Sequence, residues 1–113
     1  MYSQIKKRDG RIVPFNKKKI TIAIAKAGKA TGEFDFKEAT KLTEKVLSRA
    51  KKIIKDPIPQ VEQIQDVVED VLLRSKFKKT AKAYILYREQ HRHLREIVNS
   101  FNKGLVENYL YKT

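Results

Sequence analysis

The chain has 113 residues, enough for one domain with its own core and too few for two, and with 41% apolar and 35% charged residues it reads as folded and charge-rich. No run approaches the roughly eighteen apolar residues of a membrane span, and no cysteine is present for a disulfide, a thiolate zinc site or a cysteine nucleophile. Twenty-six basic against thirteen acidic side chains give a net charge of +13, so anionic partners are expected: nucleic acid, nucleotide, membrane headgroups or an acidic protein.

The start, MYSQIKKRDG, is cationic but has no apolar run behind it, so secretion is not expected and the cytoplasm is the default location. Ser3 to Lys7 and Arg11 to Phe15 flank Asp9-Gly10, which predicts a hairpin with a two-residue type I′ turn. That register puts Ile5, Lys7 and Ile12 on one face and Lys6, Arg8 and Val13 on the other. Asn16 is a suitable N-cap for a first helix carrying Ile20, Ile22, Ala23, Ile24 and Ala27 and ending near Gly28. A second helix is expected from Asp35, with Glu38 at capping-box spacing and Ala39, Leu42, Val46, Ala50 and Ile53 as its apolar positions. Asp56-Pro57-Ile58-Pro59 stops it, and the extended piece that follows offers a third strand. Val61, Ile64, Val67, Val68, Val71 and Leu72 then mark the clearest amphipathic helix in the chain. From about Thr80 the pattern is helical again through Tyr84, Tyr87, His91, Leu94, Val98, Phe101 and Leu105, as one long helix or two in sequence. The expected architecture is α+β: an N-terminal hairpin with a bundle of about four helices.

Charge placement adds a constraint. Residues 1–31 hold nine basic and one acidic residue, residues 32–73 seven and nine, and residues 74–113 ten and three, so both ends are basic and the middle is not. Lys17, Lys18 and Lys19 occupy the first turn of the first helix, where the macrodipole disfavours cations by roughly 0.3–1 kcal/mol each. With Lys6, Lys7, Arg8 and Arg11 on the hairpin before them, they suit a bound polyphosphate; the plainer reading is that they extend into solvent. No P-loop or dinucleotide fingerprint is present. His91 and His93 diverge on a helix and make a poor metal pair, and His91 falls on the apolar stripe as a packed residue. Asp66, Glu69 and Asp70 read as a solvated face. Tyr84 and Tyr87 with Arg88, Arg92 and Arg95 form an aromatic, basic helix suited to stacking on bases, or else the edge of the core. No nucleophile, base and orienting group can be assembled, so no catalysis is expected.

Three blocks, KKRDGRIVPFNKKKI (Lys6 to Ile20), IPQVEQIQDVVEDVL (Ile58 to Leu72) and AKAYILYREQHRHLRE (Ala81 to Glu96), resemble in order and spacing the ATP-cone. This nucleotide-binding regulatory domain occurs at the N-terminus of many ribonucleotide reductases and in a bacterial repressor of their genes. The likeness covers roughly residues 3–96 and is closest to the anaerobic reductase branch, where FNKGLVENYL (Phe101 to Leu110) resembles the segment that leads onward. It implies a cone over residues 1–97 and a helical extension or linker over 98–113. Its fold would be a small three-stranded sheet lidding four helices, with ATP or dATP between them as effector, with or without magnesium. It implies phosphate contacts at Lys7 and Arg8, base and sugar contacts at Ile5, Val13, Asn16, Lys19 and Ile20, and further contacts at Val61, Gln65, Tyr87 and Gln90. Some members carry an acid at the position of Val13 and histidines at those of Gln65 and Tyr87. The implied partners are the catalytic domain or subunit of a reductase and a nucleotide-dependent oligomer, the stripe Leu94, Val98, Phe101 and Leu105 being a candidate contact surface. With no cysteine the chain has neither the reductase's radical chemistry nor the repressor's zinc ribbon, so it reads as a fragment or a freestanding cone. The competing function is a basic nucleic-acid-binding domain.

Overall fold

The computed structural model describes residues 2–100, in the order β1 (Gln4–Lys6), β2 (Ile12–Pro14), α1 (Lys17–Thr31), α2 (Phe36–Ile53), α3 (Val61–Arg74) and α4 (Lys78–Ser100). The antiparallel hairpin pairs Ile5 with Val13 and Lys6 with Ile12, a register one residue away from the expected one. The turn explains the shift. Within the turn only Gly10 adopts positive φ, at 90°, and no non-glycine residue does among the described ones, which rules out a type I′ turn at Asp9-Gly10. Instead Gly10 N–H donates to Lys7 C=O at 3.0 Å and Lys7 N–H to Arg11 C=O at 2.8 Å, giving a three-residue loop of Arg8, Asp9 and Gly10. Asp9 Oδ1 accepts from Arg11 N–H at 3.0 Å and fixes the loop from within. Because side chains alternate along a strand, one residue of slip moves Val13 to the face of Ile5 and leaves Ile12 50% exposed.

The sheet has two strands among the described residues. The expected third is reduced to one parallel bridge between Lys6 and Gln60, with Lys6 N–H donating to Pro59 C=O at 2.9 Å. Pro57 and Pro59 have no N–H to donate, so the segment cannot build a longer ladder.

Asn16 Oδ1 caps α1 by accepting from Lys18 N–H. The helix passes through Gly28 and ends at Gly32, whose φ of 74° makes the left-handed cap. Gly28 therefore does not stop the helix; the ring of Phe34 lies on it, and a Cβ there would sit 2.2 Å from a ring carbon. Asp35 Oδ1 caps α2 through Lys37 N–H, and Tyr2 Oη donates at 2.9 Å toward Ala50 and Ile54 C=O at its far end. Ile54, rather than the half-exposed Ile53, enters the core there. The start of α4 is held by Glu33 Oε1, which accepts from Thr80 N–H at 2.6 Å and from its hydroxyl at 2.8 Å. One continuous helix runs to Ser100; Phe101 and Leu105 lie outside the described residues.

α1 packs on α2 and α4, and α3 packs on the same two, so the four helices form an up-down-up-down square. Ile24, Leu42, Val46, Ile64, Val68, Leu72 and Tyr84 fill its centre, and the buried hydroxyls of Thr21 and Thr43 bond each other at 2.8 Å across α1 and α2.

Candidate functional site

Alternating helix direction brings the first turns of α1 and α3 and the second half of α4 to the end of the bundle beneath the hairpin. A cavity of about 460 Å³ opens there, within the roughly 300–1,000 Å³ usual for small-molecule sites. Its walls include Ile5, Lys7, Arg8 and Val13 from the hairpin, Asn16, Lys19 and Ile20 from the entry to α1, and Val61 and Gln65 from α3. The structure thus gathers at one cavity residues that the sequence places up to sixty positions apart. Tyr87 lies instead in an adjoining groove of about 330 Å³ between α1 and α4, which shares Lys19, Ala23 and Tyr84 with the cavity. Gln90 is exposed and lines neither.

Apolar side chains form the cavity floor: Ile5, Val13, Ile20, Val61, Ile64 and Val68. Cations stand at its rim. Lys7 and Lys19 have no carboxylate within 4.0 Å among the described residues, whereas Lys17 reaches Glu44 of α2 at 3.3 Å, which accounts for one of the three clustered lysines. The positive ends of two helix dipoles point to the same place, so an anion is favoured there both by side chains and by backbone. Arg8 is already engaged: its Nε donates to Glu62 Oε1 at 2.6 Å and its Nη2 to Gln65 Oε1 at 3.0 Å.

Tyr84 and Arg95, grouped from the sequence with the base-stacking face of the last helix and not with the expected nucleotide contacts, also line the wall. Tyr84 is buried at the inner wall, and burial pushes its phenol up to about 12, so it stays a neutral hydroxyl throughout the physiological range. Arg95 enters the cavity from the far part of α4 and lies 3.9 Å from Glu62 Oε1. Helical phase put it on the basic face of α4, but only the crossing of α3 and α4 shows which of the three arginines there reaches the cavity.

The other two arginines are neutralised. Arg88 bonds Asp66 at 2.6 Å, Glu62 Oε2 at 3.0 Å and Glu69 at 3.4 Å, and Arg92 pairs with Glu89 and Glu96 on its own helix. Asp66 and Glu69 are therefore not a free solvated face but the anionic side of the α3–α4 seam, while Asp70 serves Arg49 and Arg74. His91 is exposed, its ring tilted against that of Tyr87 with centroids 4.2 Å apart, not packed in the core.

A second cavity of about 520 Å³ lies beside the end of α2, where Glu44 and Asp56 stand among Lys51 and Lys55. Its mixed charges favour neither sign. Among the described residues no three His, Asp or Glu side chains form a group able to hold a metal ion, and no helix is long and apolar enough to cross a membrane.

A family model described as the ATP cone domain matches residues 3–93. The vitamin B12-dependent ribonucleoside-diphosphate reductase of Thermoplasma acidophilum is 48% identical over 101 residues, 85% of this chain and 13% of that protein. The ribonucleoside-diphosphate reductase subunit alpha of Chlamydia muridarum is 36% identical over 80% of the chain and 10% of its own length. The anaerobic ribonucleoside-triphosphate reductase of Salmonella typhimurium is 34% identical over 95% of the chain and 15% of its own length. The chain thus spans a small part of the length of each of these relatives.

Proposed function

The chain belongs to the ATP-cone family, and on that premise we propose that it is a regulatory domain that binds ATP or dATP beneath its hairpin and acts on a ribonucleotide reductase, within the same chain or as a separate partner. One observation carries this reading: Lys7, Arg8 and Lys19 converge with two helix starts on a cavity whose floor is apolar. The phosphates belong at the cations and helix ends, and the adenine against Ile5, Val13, Ile20 and Val61. Gln65, with its amide at the wall, suits a base or sugar contact. The hairpin then acts as a lid tied down by the nucleotide, which replaces mutual repulsion between cations by shared attraction to one anion.

Asp9 is the only carboxylate lining the cavity among the described residues, and Arg11 already holds it at 2.7 Å. A magnesium ion would therefore travel on the phosphates rather than on a protein ligand. The reaction itself belongs to the partner; this domain's part is to change subunit association according to which nucleotide it holds. The nucleic-acid reading loses its cation track on α4, because Arg88 and Arg92 are enclosed by acids.

Calorimetric titration at about 0.15 M salt, where unpaired surface charge is screened beyond roughly 8 Å, tests the reading with ATP, dATP, tripolyphosphate and a short single-stranded oligonucleotide. The expected result is saturable binding of both adenine nucleotides, tighter than tripolyphosphate. Equal binding of tripolyphosphate, or tighter binding of the oligonucleotide, would replace the allosteric reading by a general polyanion surface.

A further inference from the structure

Glu62, in the first turn of α3, lies just outside the cavity, in a groove of about 240 Å³ that shares Lys7, Arg8 and Val61 with it, and has a cation on each side. One carboxylate oxygen accepts from Arg8 of the hairpin at 2.6 Å, the other from Arg88 of α4 at 3.0 Å, and Arg95 of α4 is 3.9 Å away. As an acid in the first turn of α3, Glu62 carries a charge that the helix dipole favours. The geometry gives it a second partner set, because it occupies the guanidinium that the nucleotide's phosphates would use.

We propose that Glu62 is a resident competitor for Arg8 that sets the affinity of the cavity for phosphorylated nucleotides. This rests on the reading of the cavity as a nucleotide site. An incoming phosphate must take Arg8 from Glu62 and then sit beside a like charge, so each nucleotide that uses Arg8 binds more weakly than the other cations alone would allow. Arg8 is about one-third exposed and Glu62 about half, so their pair is accessible to a ligand and weak enough to be exchanged. Displacement leaves no orphan. Arg88 keeps Asp66 and Glu69, and Glu62 keeps Arg88 with Arg95 beside it. Glu62 thereby turns from a bridge between hairpin, α3 and α4 into a contact of α3 with α4 alone, and the nucleotide takes over the hairpin.

Glu62→Gln keeps the size and hydrogen-bonding ability of the side chain and removes the charge. The test titrates ATP, ADP and adenosine into the wild-type domain, Glu62→Gln, Arg8→Ala and the double variant, with thermal unfolding of each free protein as a control for folding. Glu62→Gln should bind ATP about fivefold or more tightly than wild type, should gain affinity for ADP as well, and should gain none for adenosine. Its free form should melt at the wild-type temperature or slightly below, since it gives up a contact while improving a site. In the Arg8→Ala background the same change should bring little or no gain, because the competition runs through Arg8. A wild-type protein that binds ATP together with a Glu62→Gln variant that binds it no more tightly would overturn the competitor and leave the nucleotide site standing. An equal gain for adenosine, or an undiminished gain without Arg8, would make Glu62 a structural or long-range term and also overturn it. Failure of both proteins to bind ATP would overturn the site and the competitor together.

Discussion

Lys7 and Lys19 differ from the other cations lining the cavity, Arg8, Arg11 and Arg95, in having no carboxylate within 4.0 Å among the described residues, so their charge is available to a ligand. Replacing either with Ala should weaken ATP binding by about 1.5–3 kcal/mol, the scale of a hydrogen bond to a charged group, without lowering the melting temperature of the free domain. Lys17→Ala should leave binding unchanged, since Lys17 turns to Glu44. Calorimetry on the three variants checks the assignment. Gly28 makes a different kind of prediction. Its missing Cβ is where the Phe34 ring lies, so Gly28→Ala should destabilise the domain by roughly 1–3 kcal/mol in a denaturant titration even though Ala is the better helix former. At this scale the sequence showed which residue types were present but not their partners. Arg8 and the lysines could be read as unexplained cations, yet nothing in spacing joins Arg8 to Glu62, fifty-four positions away, or separates Arg95 from Arg88 and Arg92. His91 shows the opposite failure: heptad-like spacing put it in the core, while its ring is exposed beside Tyr87.

Elements were legible where a periodic stripe and a cap agreed. Asn16 and Asp35 cap the helices they were expected to cap, and the stripe of α3 is the buried face of α3. The hairpin was legible as an element but not in its register, because Asp-Gly serves both a two-residue and a three-residue loop, and only the positive φ of Gly10 alone decides between them. The register matters to the site, since it turns Val13 rather than Ile12 toward the cavity. The seam of α3 and α4 carries a pH prediction. Burial would raise the Glu62 carboxyl, but hydrogen bonds from Arg88, which it shares with Asp66, and from Arg8, with Arg95 3.9 Å away, leave it below the ordinary carboxylate range. A carboxyl depressed by folding contributes stability that is complete above its unfolded value and is lost as pH falls through its folded value. Thermal unfolding followed from neutral pH downward should therefore lose stability below about pH 4.5, near the ordinary glutamate range, and the loss should be shallower in Glu62→Gln. An identical acid limb in the two proteins would remove Glu62 from the seam. The start of α4 rests on Glu33, and Glu33→Ala, which leaves Thr80 N–H without its acceptor, should cost about 0.5–2 kcal/mol, as loss of a helix cap does.

For the whole molecule, two basic ends flanking a neutral middle do correspond to an arrangement in space, with the hairpin and α1 from one end and Arg95 from the other meeting at the cavity. The resulting surface is narrower than composition suggested, because Arg74, Arg88 and Arg92 are spent on internal pairs. Ligand linkage acts at this scale too. A nucleotide that binds only the folded state stabilises it by about 2.7 kcal/mol at a hundredfold excess over its dissociation constant. With roughly 4–8 °C per kcal/mol for a domain of this size, ATP should raise the melting temperature by about 10 °C or more. Melting reports that a ligand binds; it does not report where. Two cavities of similar size compete for that role, one beneath the hairpin and one beside the end of α2. Backbone amide shifts in an NMR titration of the domain with ATP separate them in one experiment. The largest changes are expected on Lys7, Arg8, Val13, Lys19, Val61 and Gln65, with Ser48, Lys51 and Lys55 unmoved. Changes centred on Ser48, Lys51 and Lys55, with the hairpin and the starts of α1 and α3 unperturbed, would contradict it.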